Sequence, residues 1–299
     1  MTVTRTEKFG ISAAITTPFT DTGAIDTDLL TAHVKSVLDQ GCSSVTLGGT
    51  TGEGPSLSVD EMIAAFKALT TASIDPTKIV FGILQSALPD AVDAAQKVSA
   101  LGGKYVLVAP PYYFKDGSDA GLVTWFDQFL TAIADTNLKV ILYHIPQVTA
   151  APITPDVVGQ IINAHPGMIA GVKDSSGDWE NAKTLLTRFS DKHHILIGDE
   201  RLLGEAVKRG ASGAISGVAN LTPGLLTPLL DGEAPDKNLT PFVNAILAHP
   251  VTPAIKTLLA HITDTPAWRR VRPPLVELDQ AQYELLATTY DSLFKPGTN

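Results

Sequence analysis

Lys173 stands directly behind an apolar run, Ile169-Ala-Gly-Val172, and opens the polar stretch Lys173-Asp174-Ser175-Ser176-Gly177-Asp178. An ammonium buried at such a place is costly unless it is neutralised or paired. A free lysine titrates near about 10.4, and desolvation lowers that value for a buried amine, which then becomes a competent nucleophile toward carbonyls. The competing reading is a lysine that snorkels to a solvated rim or pairs with Asp174. A second run, Val140-Ile-Leu-Tyr143, ends in a phenol. Such a group can move protons to and from a carbinolamine or an enamine, or it can be a strand-end aromatic with its hydroxyl satisfied. His144 follows it, as a further acid or base or as a structural histidine.

Other polar groups follow other apolar runs. Gly48-Gly-Thr-Thr-Gly-Glu-Gly54 offers two hydroxyls and exposed amides that suit a small carboxylate, or it is a turn with no ligand. It lacks the Gly-Lys ending of a phosphate loop, so nucleotide binding is not expected. Pro110-Pro-Tyr-Tyr113 is held extended by its prolines, and its tyrosines reach either a site or a neighbouring subunit. Gly198-Asp-Glu200 and Ile215-Ser-Gly217 supply acidic and backbone groups that bind hydroxyls or cap the helices that follow.

The elements that carry these groups alternate. Short β-branched runs at Ile11–Thr17, Ser44–Leu47, Ile79–Leu84, Tyr105–Val108, Val140–Tyr143, Ile169–Val172, Ile195–Ile197 and Ala214–Ser216 read as strands. Between them, segments such as Asp28–Gln40, Val59–Ala72, Asp90–Leu101, Leu122–Ala134 and Thr154–Ala164 carry apolar residues at helical spacing. Ser58 and Thr154-Pro155 look like helix starts, and Gly41 and Gly102 like stops. Strands apolar on both faces and separated by helices predict a parallel sheet covered on both sides. Eight such units predict a closed (β/α)₈ (TIM) barrel, a fold of roughly 250 residues whose functional groups gather at the C-terminal ends of the strands. The alternative, a doubly wound open sheet, lacks a GxGxxG fingerprint at its first turn. Residues 1–232 are expected to form the barrel with the active site. Residues 233–299, punctuated by proline and without a strand signal, are expected to form a C-terminal helical region over Pro241–His249, Pro253–His261 and Glu277–Phe294.

The 299 residues are 44% hydrophobic and 18% charged, with a formal net charge of −9. That balance disfavours nucleic acid or an anionic membrane as a partner, so an anionic substrate would need a local pocket. Cys42 is the single cysteine, which excludes an intramolecular disulfide and a cysteine zinc cluster and fits a cytoplasmic location. Met1–Thr6 lacks the apolar core of a signal peptide, and no stretch has the apolar length of a membrane span.

Taken in order, Gly49-Thr-Thr-Gly-Glu53, Pro111-Tyr-Tyr113, Tyr143-His-Ile-Pro146, Gly171-Val-Lys173 and Gly198-Asp199 resemble the dihydrodipicolinate synthase/N-acetylneuraminate lyase family, and the likeness runs through the helical tail. The resemblance implies that Lys173 forms an imine with the ketone of pyruvate or another 2-oxo acid, and that Tyr143 transfers the proton. Thr50 relays it to Tyr113, which members of the family donate from a neighbouring subunit, so a homo-oligomer (a dimer or a homotetramer) is implied. Thr50 and Thr51 correspond to the carboxylate pocket, Ile215 to a position whose backbone carbonyl faces the site, and Ser175 to a hydroxyl that contacts the substrate in sugar-acid aldolases. Gly198 and Asp199 join the substrate-binding set. No metal or organic cofactor is implied, because the lysine itself supplies the electron sink.

The sequence departs from the synthases where an arginine grips the carboxylate of aspartate semialdehyde, since Val148 occupies that place and an apolar side chain cannot replace a carboxylate clamp. The asparagine usual after the tyrosine is His144. The expected activity is therefore that of a Schiff-base lyase, a class I aldolase that reversibly cleaves a 4-hydroxy-2-oxo acid, for example a 2-keto-3-deoxy sugar acid, to pyruvate and an aldehyde. Dihydrodipicolinate synthase and sugar-acid dehydratase are alternatives on the same site. A 2-oxo-acid-binding regulatory paralogue is the non-enzymatic one. A phosphate-binding barrel enzyme would need a glycine-rich phosphate site after strands seven and eight, which the sequence lacks.

Overall fold

A computed structural model describes residues 8–295; the Met1–Thr6 reading lies outside the described residues. Eight parallel strands close into a barrel in sequence order. They are β1 (Gly10–Ala14), β2 (Ser44–Leu47), β3 (Ile79–Ile83), β4 (Tyr105–Val108), β5 (Lys139–His144), β6 (Ile169–Asp174), β7 (His194–Ile197) and β8 (Gly213–Ser216). Helices α1 (Thr27–Asp39), α2 (Val59–Thr71), α3 (Leu88–Ala100) and α4 (Asp119–Ala132) follow the first four strands. The one-turn α5 (Pro146–Thr149) and α6 (Pro155–Ala164) follow β5, and α7 (Trp179–Phe189) and α8 (Glu200–Lys208) follow β6 and β7. Three short 3₁₀ turns lead from β8 to α9 (Leu239–Leu247), α10 (Val251–Thr263) and α11 (Gln280–Phe294).

Local chemistry sets these boundaries. Ser58 and Glu61 form a reciprocal capping box at the start of α2, and Thr154 caps α6 through the Val157 amide. Gly41 and Gly102 follow α1 and α3 with φ of +102° and +82°, the left-handed conformation that ends a helix without a Cβ penalty. The first strand is shorter than the Ile11–Thr17 run. The Thr16 amide leaves the ladder to donate to Asn220 Oδ1, and the Thr17 hydroxyl donates to the Gly52 carbonyl. These bonds to a side chain and to a loop carbonyl take the place of further strand pairing. The α5 turn after Ile145 has no counterpart in the sequence reading, because one helical turn carries no periodic signal.

The period of two along each strand divides the core. Ile141, Tyr143 and Ile145 join Leu107, Leu196 and Ile215 in a small cluster inside the barrel, whereas Val140, Leu142 and Val172 join the large cluster under the helices. In the β5–β6 register Tyr143 is opposite Lys173, and His144 is opposite Asp174. Lys173 and Tyr143 therefore share the barrel interior, and Asp174 is turned the other way. Among the described residues no single helix is long and apolar enough to cross a membrane; α9 and α10 reach that length together only across a 118° bend, and most of α10 is buried.

Candidate active site

At the C-terminal mouth of the barrel, the Lys173 amine lies 3.3 Å from the Tyr143 hydroxyl and 4.3 Å from the centre of its ring. The Tyr143 hydroxyl is 3.2 Å from Thr50 Oγ1, so three groups from β6, β5 and the loop after β2 form one hydrogen-bonded chain. Lys173 is 5% exposed and Tyr143 2%. The pairing of Lys173 with Asp174 does not form. The Asp174 carboxylate accepts instead from the Ser176 amide and from Asn181 Nδ2, and among the described residues no carboxylate lies within ion-pair distance of the Lys173 amine.

His144 is buried and accepts the Ile153 amide through Nδ1. Burial pushes its imidazole below the usual range, against the pull of Asp174 and Asp178. It does not line the cavity at Lys173, and its hydrogen bond fixes the chain after α5.

The Gly48–Gly54 loop is held from behind. Glu53 has φ of +59°, and its side chain is fully buried against that of Lys256 on α10, whose amine donates to Glu53 Oε1 at 2.6 Å and to the Thr17 carbonyl at 2.9 Å. The Arg272 amide donates to the other carboxylate oxygen, and the Phe19 ring stands 4.5 Å from the Lys256 amine. Burial depresses Lys256 below the ordinary lysine range, while the charge of Glu53 pulls it back. Gly54 packs so closely that a Cβ there would sit 1.9 Å from the Gly48 carbonyl oxygen, so no other residue fits this turn.

These groups open into a cavity of about 600 Å³ that Thr50, Thr51, Tyr143, Lys173, Ser175 and Ile215 line. Gly198 and Asp199 also face it. A Cβ on Gly198 would meet Ser175 Oγ at 2.0 Å, so the β7 end must be glycine for Ser175 to stand where it does. The Asp199 carboxylate is engaged with the Arg201 guanidinium through two bonds of 2.9 and 2.6 Å, and Arg201 also donates to Asn244. Tyr113 stands apart: it is 75% exposed, edge-on to the exposed Phe114, and outside this cavity.

Among the other lining groups, Glu200 is a candidate acid in the sequence and the rest carry no signal there. Glu200 is buried, accepts from the Ser216 hydroxyl and the Val218 amide, and is pushed above the usual carboxylate range by burial. Its place directly after Gly198-Asp199 was the available signal. Arg201, Gln147 and the apolar residues of α9 and α10 carried none, because only the fold brings them to the mouth. Among the described residues no group of three or more His, Cys, Asp or Glu side chains is placed to hold a metal ion.

Comparison with known proteins gives this arrangement a lineage. Residues 7–292 match the dihydrodipicolinate synthetase family, and the chain belongs to that family. It is similar to a dihydrodipicolinate synthase from Agrobacterium tumefaciens, at 41% identity over 96% of this chain and 100% of that one, with a TM-score of 0.93. An uncharacterised DapA-like lyase from Chloroflexus aurantiacus is 32% identical over 98% of this chain and 99% of that protein. A variant of the 2-keto-3-deoxygluconate aldolase from Sulfolobus solfataricus, 22% identical, shares the fold with a TM-score of 0.81 over 95% of this chain and 96% of its own.

Proposed function

We propose that the protein is a class I pyruvate aldolase that cleaves a 4-hydroxy-2-oxo acid reversibly through an imine on Lys173. The observation that carries this is the Lys173–Tyr143–Thr50 chain, with separations of 3.3 and 3.2 Å and no competing carboxylate among the described residues. Family membership supports the lyase class, since a 2-keto-3-deoxygluconate aldolase shares the fold.

The neutral amine attacks the C2 ketone, and loss of water leaves a protonated imine. Tyr143 takes the proton of the C4 hydroxyl, the C3–C4 bond breaks, and its electron pair moves into the iminium to give an enamine. The aldehyde leaves, the enamine carbon is protonated, and water releases pyruvate and the free amine. Thr50, bonded to Tyr143, passes the proton onward. Thr50 and Thr51 receive the substrate carboxylate in the loop that Glu53 fixes, Ser175, Gly198 and Asp199 border the remainder of the substrate, and the Ile215 backbone faces the reacting carbons. Tyr113 is assigned to the site of a neighbouring subunit in a dimer or homotetramer. Its exposure beside Phe114 supports that reading, because two large aromatic rings are seldom left in water. A cytoplasmic location belongs to the same reading.

Borohydride reduction in the presence of pyruvate, followed by peptide mass mapping, tests the assignment. An adduct is expected on Lys173 and is lost in Lys173→Ala with the fold retained. An adduct on another lysine, or none, defeats it.

A second reading, dihydrodipicolinate synthase, uses the same imine and is favoured by the resemblance to the Agrobacterium protein. Val148, 58% exposed at the cavity, stands against it, since it offers aspartate semialdehyde no carboxylate clamp. A coupled assay with that aldehyde separates the two. A sugar-acid dehydratase would expel a hydroxyl from the same imine, and a regulatory paralogue would bind pyruvate without turning over any aldehyde.

A further inference from the structure

The cavity has two unlike ends. Lys173, Tyr143 and Thr50 make the inner end polar and enclosed. The outer end carries Val243, Ile246 and Leu247 of α9, Val251 of α10 and Val148 of α5. Of the seven large hydrophobic side chains exposed among the described residues, three line this cavity: Val148 at 58%, Leu247 at 48% and Val251 at 38%. Exposed apolar groups gathered at the mouth of a reacting cavity mark where an apolar ligand is covered.

The charged groups of the outer end are already committed. Asp199 and Arg201 hold each other through two bonds, Arg201 also holds Asn244, and Glu200 Oε1 takes the Ser216 hydroxyl and the Val218 amide. A second carboxylate on the acceptor would meet a guanidinium whose charge Asp199 already neutralises. A polyhydroxylated tail could bond Ser175 and Ser176, but any hydroxyl laid on Val148, Leu247 or Val251 would lose water without gaining a partner. A hydrocarbon tail meets neither penalty.

We propose that the acceptor is an apolar aldehyde, an alkyl or aryl aldehyde with no second charged group, whose hydrocarbon tail lies on the Val148, Leu247 and Val251 surface. This rests on the aldolase reading and narrows it. In the synthetic direction, C3 of the pyruvate enamine bonds to the aldehyde carbon. The carbonyl π pair moves to the aldehyde oxygen, which takes a proton and becomes the C4 hydroxyl, and water then releases the product from Lys173. The product is a 4-hydroxy-2-oxo acid with a hydrocarbon substituent on C4.

The test uses the full chain, pyruvate and the straight-chain aldehydes from propanal to hexanal, with glyceraldehyde and succinic semialdehyde as the polyol and the anion. Product formation should rise with chain length, by about fourfold in kcat/KM for each added methylene. Leu247→Ser with Val251→Ser should flatten that rise, lowering hexanal about tenfold more than propanal. A flat or falling series, or glyceraldehyde or succinic semialdehyde outrunning hexanal, overturns the proposal. So does a Lys173–pyruvate adduct without turnover of any hydrocarbon aldehyde, an outcome that leaves the imine reading standing. Absence of the adduct overturns both.

Discussion

The inner and outer ends of the cavity are built by opposite strategies. At the inner end every group is fixed more than once: Tyr143 faces Lys173 by strand register, touches Thr50, and packs among Ile141, Ile145 and Ile215. The loop that supplies Thr50 is clamped from behind by a fully buried ion pair between Glu53 and Lys256, 203 residues apart. At the outer end the walls come from the short α5 turn, the β6 and β7 loops and helices from beyond the barrel, and much of the surface is apolar and open. The difference teaches a division of labour. Chemistry shared across a family needs preorganised groups that cost no rearrangement during reaction, while selectivity can rest on side chains whose exchange leaves the scaffold intact.

Breaking the inner end should have the largest effects. Tyr143→Phe removes the hydroxyl proposed to carry the proton but keeps the ring against the Lys173 amine. Aldol turnover should fall by about 10² to 10⁴-fold, while borohydride still traps pyruvate, more slowly. Steady-state kinetics set beside trapping yield checks this, and unchanged turnover would remove Tyr143 from the mechanism. Lys256→Met acts one layer back. It leaves Glu53 charged, buried and short of one partner, which costs about 3 to 5 kcal/mol of stability. Urea unfolding should register that loss. In the folded fraction KM for pyruvate should rise more than kcat falls, because the loop proposed to receive the carboxylate loosens while the Lys173–Tyr143 geometry on the strands persists.

The outer end should respond with smaller and more selective changes. Val148→Arg introduces a guanidinium at an exposed position of the cavity. A charge-assisted hydrogen bond to an acceptor carboxylate is worth about 1.5 kcal/mol at its lower bound, so kcat/KM for succinic semialdehyde should rise roughly tenfold. Thermal stability should stay within about 0.5 kcal/mol. A comparable loss of stability would show that Val148 belongs to the scaffold and that the two ends are less separable than their construction implies.

The two ends also differ in how far they could be read from sequence. Strands apolar on both faces are legible because burial on both sides of a sheet leaves no polar alternation, and Lys173 and Tyr143 were legible because each follows such a run directly. The Glu53–Lys256 pair was not, since nothing local marks two charges as partners across 203 residues. Asp199 was legible as a strand-end acid, but its commitment to Arg201 was not. The apolar wall stayed hidden for a different reason. Apolar residues at helical spacing in α9 read as core-facing, and most of them are buried. Only the placement of that helix against the mouth turns Ile246 and Leu247 into cavity lining.

Acid pH provides the mildest test of the inner scaffold. His33 on α1 is buried, bonded through Nε2 to Asn220 Oδ1 at 3.0 Å and edge-on to Trp268. The same Asn220 oxygen accepts the Thr16 amide, so it cannot donate, and Nε2 must carry the proton. Asn220 Nδ2 donates in turn to the Ala14 carbonyl, which ties the ends of β1 and β8 together. Burial lowers the His33 pKa, and the bond to Asn220 offsets part of that shift. The folded state therefore holds His33 neutral where an unfolded chain would protonate it. The stability it contributes is present above the ordinary histidine range and is lost as pH falls from about 6.5 through the lowered value. His144 and His193 shift in the same direction through burial. Glu200, raised by burial, acts oppositely, since its contribution is present at low pH and is lost as pH rises. Stability should thus decline on acidification from pH about 7 to about 5, with a slope per histidine of at most about 1.4 kcal/mol per pH unit. His33→Gln keeps a donor for Asn220 and removes the titration, so its unfolding midpoint should change less over that interval than that of the unaltered protein. Equal slopes for the two proteins would mean that the acid sensitivity arises elsewhere and that the Asn220 tie between β1 and β8 does not feel the charge on His33.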